Sequence, residues 1–243
     1  MQETELWLTK IFNDYLATPG NWFLSLAALP HQRRPWADFI VMQVLVMAIL
    51  VVLFAVLRGR LSADRPGRLQ HILELVYEFV LGQTEDQLGH GGAKYLGYFG
   101  TIFLFVLFSN LIGLIPGFDA PTMNPSVTAG CAAATFLYYN MVGIQSNGVL
   151  KYASHFAGPV WWLAWLMIPI EIFSHLARPL SLTIRLFANM YAGEKVTMVF
   201  LSLTYFLIPA VFMGLHVFVA LLQAYIFLLL TMIYVAGATS HDH

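Results

Sequence analysis

Charge is what this chain has least of. Only 10% of its 243 residues are Asp, Glu, Lys or Arg, against about 25% in a soluble domain. Hydrophobic residues make up 59%, and mean hydropathy is +0.71. Twelve basic and 13 acidic side chains leave a net charge of −1, which gives no electrostatic case for nucleic acid as a partner. A single cysteine, Cys131, excludes an internal disulfide. The start, MQETELWLTKIFNDY, is acidic and mixed. It lacks the basic beginning and apolar core of a cleavable signal peptide. No internal repeat is visible, so an inverted-repeat transporter has no support. His155, His175 and His216 lack metal-ligand spacing, and there is no HExxH, no GxSxG and no glycine-rich phosphate loop. Ser174 and His175 are adjacent and cannot by themselves form a serine–base dyad. No metal, cofactor or nucleotide is expected on the chain itself.

What is abundant is apolar sequence in membrane-length runs, and the fold class expected is an all-α polytopic membrane protein. Residues 1–35 are polar to mixed, broken by Pro19-Gly20 and Pro30, and are expected at the outer surface. Residues 36–243 form one membrane domain. The first span, 39–57, is interrupted only by Gln43 and is long enough for a core of about 30 Å. Arg58, Arg60, Arg65 and Arg68 follow it and point to the cytoplasm by the positive-inside rule, which puts the N-terminus outside. Over 68–89, Ile72, Val76, Phe79 and Val80 share one helical face, and Gln70, His71, Glu74 and Glu78 another. That is the pattern of an amphipathic helix at the membrane interface.

A hairpin over 98–144 comes next, turning at Pro116-Gly117 and Pro121 with Asp119 and no basic residue in the turn. The remainder, 159–237, is expected to be a long tilted hairpin hinged at Gly193-Glu194-Lys195. Its second arm, from Val196 to Gly237, is about 40 residues, or roughly 60 Å of helix and twice the bilayer core. Either Pro209 breaks it into two spans or it is strongly tilted. The lack of a polar loop near Pro209 favours five spans plus one interfacial helix, with the C-terminus inside.

Between Lys151 and the tail the only charged residues are Glu171, Arg178, Arg185, Glu194, Lys195 and Asp242. Arg185 stands out. An arginine at mid-membrane costs about 2.5–3.5 kcal/mol on insertion scales, and it cannot escape by giving up its proton. Ser181, Arg185 and Asn189 are spaced by four and share a helix face. Glu171 lies four turns before Arg185 on nearly the same face, roughly 21 Å away. His216 and Gln223, seven apart, share a face about 10 Å long. Each also has a plainer reading. His216 could be a satisfied core histidine and Gln223 interhelical glue. Glu194 and Lys195 could be an interfacial ion pair, and Arg178 could snorkel to the interface. Two polar stripes in otherwise apolar helices are nonetheless expected to face protein or water, as a charge-transfer path does.

The segment SLTIRLFANMYAGE resembles the signature of subunit a of the F-type ATP synthases, and so does LHVFVALLQAYIF, with His216 and Gln223 in matching places. NLIGLIPGF followed by MNPSVTAG resembles the hairpin before it. The likeness covers about residues 36–240. It departs at Ala188, where bacterial relatives usually carry glycine.

The resemblance implies a proton-translocating stator subunit, not an enzyme on its own, in a bacterial plasma (inner) membrane. Its partners would be the rotating c-subunit ring, the b-subunit peripheral stalk, the rest of the ATP synthase complex and membrane lipid. Two offset aqueous half-channels would meet the ring. Asn189, Glu194, His216 and Gln223 would line the outer one. Glu171, Ser174, His175 and Ser181 would belong to the cytoplasmic one. Arg185 would stand between them, facing the ring carboxylates. Lipid disfavours the charged form of such a carboxyl, and a nearby arginine favours it. A free-standing channel or secondary transporter is the alternative. An intramembrane protease would need a nucleophile–base pair, and a purely structural anchor would leave Arg185 and Glu194 unexplained.

Overall fold

The computed structural model describes residues 6–26, 30, 34–62, 66–115, 117–149, 164–203 and 207–239. Among these there are helices and turns and no strand. Lys151, His155, the beginning of the long stretch at Pro159 and the SHDH tail lie outside the described residues.

Two short helices open the chain, α1 (Trp7–Tyr15) and α2 (Ala17–Leu26), where the composition promised only surface segment. Pro19 falls in the first turn of α2, where a missing N–H is harmless. The Asn13 side chain holds α1 in place, accepting from the Trp36 backbone N–H at 3.0 Å and donating to the Trp36 carbonyl at 3.1 Å. Trp7 packs edge-on against Phe118 in the turn of the later hairpin, so the N-terminal helices and that turn share one side of the molecule.

The first span is α3 (Asp38–Arg58), with an acid in its first turn and a base in its last, as the helix dipole favours. The amphipathic helix is α4 (Arg68–Leu88), ended by Gly89 at φ 68°. Its apolar face is only partly the one the pattern suggests. Val80 and Thr84 are buried, and Phe79 meets Phe103 and Tyr225, while Ile72 stays exposed. Gln70, expected on the polar face, is buried. Its side chain accepts from the Ser62 backbone N–H and donates to the Ser62 carbonyl, tying down the incoming chain. Backbone groups left open at the end of α3 gave it a partner that spacing alone does not reveal.

A 3-10 turn leads into α5 (Leu96–Ile112), and α6 (Pro125–Asn147) returns. Helix α6 starts on a side-chain cap, Asn124 accepting from Ser126 N–H at 2.9 Å, with Pro125 in its first turn. It stops at Gly148, φ 77°. Then come α7 (Ala164–Leu203), 40 residues, and α8 (Leu207–Thr239), 33 residues. Among the described residues four helical stretches are long and apolar enough to cross a membrane: Asp38–Arg58, Gly91–Ile112, Pro125–Asn147 and Ala210–Thr239. Helix α7 is longer than any of them but carries five charged residues. The chain is an all-α, multi-pass membrane protein.

Two expectations about the last hairpin are corrected. Gly193-Glu194-Lys195 is not a hinge, because α7 runs helical through it to Leu203. The helix instead packs against α8 there, where a Cβ on Gly193 would make an ordinary contact 3.5 Å from the His216 ring. The helix of about 40 residues is therefore the first arm, not the second. Pro209 does not split a helix. It lies in the first turn of α8, where proline fits.

The core lies where α5, α6, α7 and α8 meet. Phe99, Val106, Tyr139, Leu186, Met190 and Phe227 are all at most 1% exposed. Leu182, Leu186 and Met190, each four residues on, form the stripe of α7 that faces this core.

Candidate functional site

Because that apolar stripe faces inward, the polar stripe of α7 turns outward. Ser181, Arg185 and Asn189 are all exposed, as their spacing predicts. Around Arg185, Leu180, Ile184 and Tyr191 are also exposed. Among the described residues Arg185 makes no hydrogen bond or ion pair. A permanent charge thus protrudes from an apolar surface.

The second polar stripe faces the first across the antiparallel pair α7 and α8. Asn189 Nδ2 donates to Gln223 Oε1 at 2.8 Å. One turn further along α7, Gly193 abuts His216. His216 and Gln223 are buried, and each keeps one buried nitrogen, Nε2, with no hydrogen-bond partner among the described residues. Leaving a buried polar group unsatisfied costs about 1–3 kcal/mol, so each of these nitrogens calls for an explanation such as a water or a functional role.

Beside His216 opens a cavity of about 210 Å³, lined by Glu194, Thr197, Met198, Met213 and His216 from α7 and α8 and by residues 113–115 and 117–119 of the α5–α6 turn, Asp119 among them. It is large enough for a cluster of waters. Glu194 is half-buried at its wall and Asp119 exposed at its rim. Of the four residues assigned to the outer path, Asn189 and Gln223 are hydrogen-bonded to each other, and Glu194 and His216 line the same cavity. Asp119 was missed as a site residue. The signal for it was an acid in a turn whose sequence holds no basic residue.

At the other end of α7 the assigned residues part company. Glu171 is half-buried and Ser174 and Ser181 exposed, but His175 is buried against α6. Its Nε2 lies 2.9 Å from Asn140 Oδ1 and 3.3 Å from Tyr139 Oη. Neither Tyr139 nor Asn140 was marked by the sequence. Arg178, expected to pair or snorkel, lies over the Tyr234 ring at 5.6 Å. Lys195 lies 5.3 Å over the Tyr191 ring. Among the described residues no three of His, Cys, Asp and Glu come together as metal ligands.

A family profile described as ATP synthase A chain matches residues 40–236. The chain belongs to that family. It is 66% identical over 233 residues to the ATP synthase subunit a of Solibacter usitatus (strain Ellin6076), covering 96% of this chain and all of that one. With the ATP synthase subunit a of Koribacter versatilis (strain Ellin345) it shares 49% over 241 residues, 98% of each chain. With that of Geobacter sulfurreducens it shares 42% over 221 residues, 91% of this chain and 96% of the other. An alignment of 233 residues out of 243 reaches into the N-terminal segment that the resemblance in the sequence had left out. As a member of the ATP synthase A chain family, the chain is a subunit of the ATP synthase complex, not an enzyme complete in itself.

Proposed function

We propose that this subunit is the proton-conducting stator element of an F-type ATP synthase, with two offset half-channels separated by Arg185. The observation that carries the reading is the isolation of Arg185. It stands exposed among apolar neighbours, with no hydrogen bond or ion pair among the described residues, one turn from the Asn189–Gln223 contact. A membrane-buried guanidinium needs a partner. A ring of c subunits, each bringing a carboxyl group to the same depth, supplies one in succession.

Protons enter the outer half-channel at the cavity of Asp119, Glu194 and His216 and pass along His216, Gln223 and Asn189 towards the ring. Among the described residues His216 Nε2 and Gln223 Nε2 have no partner; the imidazole nitrogen can take or give a proton, and the amide N–H can donate to a water. Glu171, Ser174 and Ser181 form the cytoplasmic path. His175, turned into α6, is left out of it. As a ring carboxylate leaves lipid its charged form is favoured by Arg185, and its proton departs on one side. After passing the arginine it reloads from the other. Arg185 holds its own proton permanently and so blocks a direct leak between the paths. The b-subunit stalk keeps this subunit still while the ring turns. The membrane is a bacterial inner membrane, with the N-terminus outside and the C-terminus cytoplasmic.

The test is ATP-driven acidification of vesicles carrying the whole complex, comparing wild type with Arg185→Lys and Arg185→Ala. Both variants are expected to lose pumping while the soluble head still hydrolyses ATP. Pumping that survives in both would make the arginine structural and end the half-channel reading.

A further inference from the structure

His175 is bound in a way the proton path does not use. It sits on the core-facing side of α7, 9% exposed, away from the stripe of Ser181 and Arg185. Asn140 Nδ2 donates to the Phe136 carbonyl one turn back in α6, at 2.7 Å. That bond fixes the amide so that Oδ1 faces α7, and His175 Nε2 must be the donor at 2.9 Å. Tyr139 Oη stands 3.3 Å from the same nitrogen. The rings of Phe136 and Tyr139 meet the imidazole edge-on, with centroids 5.1 and 5.3 Å away. Tyr139 also contacts Tyr234 of α8, which lies under Arg178. Three helices are thus joined at one level, the imidazole N–H donating to Asn140 with the Tyr139 hydroxyl oxygen near enough to share it.

The level is a particular one. Pro179 lies inside α7 and has no N–H, so it cannot donate to the carbonyl four residues earlier, which is that of His175. Proline interruptions are where long helices bend. The backbone ladder of α7 is weakened at the residue whose side chain is held from outside. Arg185 lies six residues beyond Pro179, and about 15 Å along the axis from His175.

We propose that Asn140 and Tyr139 are positioning residues that act through His175, fixing the rotation and depth of α7 at its proline interruption and so holding Arg185 at the boundary between the half-channels. The proposal rests on the function given above. It makes His175 a hydrogen-bond donor and not a carrier of protons.

The experiment uses membrane vesicles bearing the whole complex and reads protons pumped per ATP hydrolysed, normalised to the amount of this subunit that co-purifies with the complex. Asn140→Leu and His175→Leu are each expected to lower that ratio about five- to tenfold, the factor set by one lost buried hydrogen bond. The double variant is expected to be no worse than either single one, since one interaction is removed in all three. His175→Gln keeps an N–H donor and is expected to restore most of the ratio. A His175→Gln variant as impaired as His175→Leu would overturn the proposal in favour of proton carriage by the ring. Leu variants that pump as well as wild type would overturn it outright. If the Leu variants fail to assemble, His175→Gln and Tyr139→Phe decide: retained coupling in the first with a reduced ratio in the second supports the clamp, and any other pattern sinks it. Arg185→Ala is run alongside. If it still pumps, the underlying function fails; if it alone is dead, only the clamp does.

Discussion

Gly193 and His216 face each other across α7 and α8 at van der Waals distance, and that contact can be probed by size alone. A methyl group on Gly193 would stand 3.5–3.6 Å from three atoms of the imidazole, an ordinary contact. Gly193→Ala should therefore assemble and pump within about twofold of wild type. Gly193→Leu has no such room. It must push His216 off its rotamer or spread the helices, at a cost of about 1–3 kcal/mol, and fill the neighbouring cavity. Vesicle acidification should fall severalfold for the leucine and not for the alanine; equal loss in both would mean that helix backbone, not the imidazole, is what the glycine serves. At this scale legibility followed burial chemistry. Arg185 was readable because a charge without an escape in apolar sequence has few explanations. Helical spacing aligned Asn189 with Arg185 and His216 with Gln223, while Glu194 entered through the resemblance. Asp119, Tyr139 and Asn140 were not readable, because their importance comes from neighbours 35 or more residues away, and no local period encodes that.

The α5–α6 turn owes its shape to one buried amide. Asn110 is fully buried, accepts from Thr122 Oγ1 at 2.8 Å and reaches the Ala220 carbonyl of α8 at 3.4 Å. Gly113 lets the turn close, since a Cβ there would fall 2.7 Å from that of Ala120. Thr122→Val keeps the shape of the side chain and removes the donor, leaving Asn110 Oδ1 without its partner at a cost of about 1–3 kcal/mol. The half-life of the detergent-solubilised complex at raised temperature should shorten for Thr122→Val and be largely preserved for Thr122→Ser; an unchanged valine variant would show that water replaces the hydroxyl. Elements of this kind were legible in outline. Apolar runs located α3 and the hairpin of α5 and α6 to within a few residues. The end of α7 was misread for a physical reason: a glycine beside two charges is a turn signal locally, and only the imidazole opposite reveals its other use.

At the scale of the whole molecule, the sidedness of the two paths follows from which turns share a face. Trp7 contacts Phe118, so the N-terminal helices lie beside Asp119 and the cavity leading to His216. Crossing α3 brings the chain to Arg58 and Arg60, and crossing α6 brings it to the same side again. In the proposed orientation, with the arginine cluster on the cytoplasmic side, the Asp119 cavity would be the outer entrance and Glu171 would lie nearer the cytoplasm. Single cysteines can test this once the native thiol, buried Cys131, is replaced by serine. Arg60→Cys and Ser146→Cys should react with a membrane-impermeant maleimide only in inside-out vesicles, and Ser126→Cys only in right-side-out ones, all three positions being exposed. The reverse pattern would exchange the entrances without altering their geometry, since the contacts between α7 and α8 do not depend on which way the bundle is inserted. Labelling of Arg60→Cys and Ser146→Cys from opposite sides would be more damaging. It would require an odd number of crossings between them, contrary to the pair α5 and α6, and would remove the outer cavity from which the proposed proton path begins.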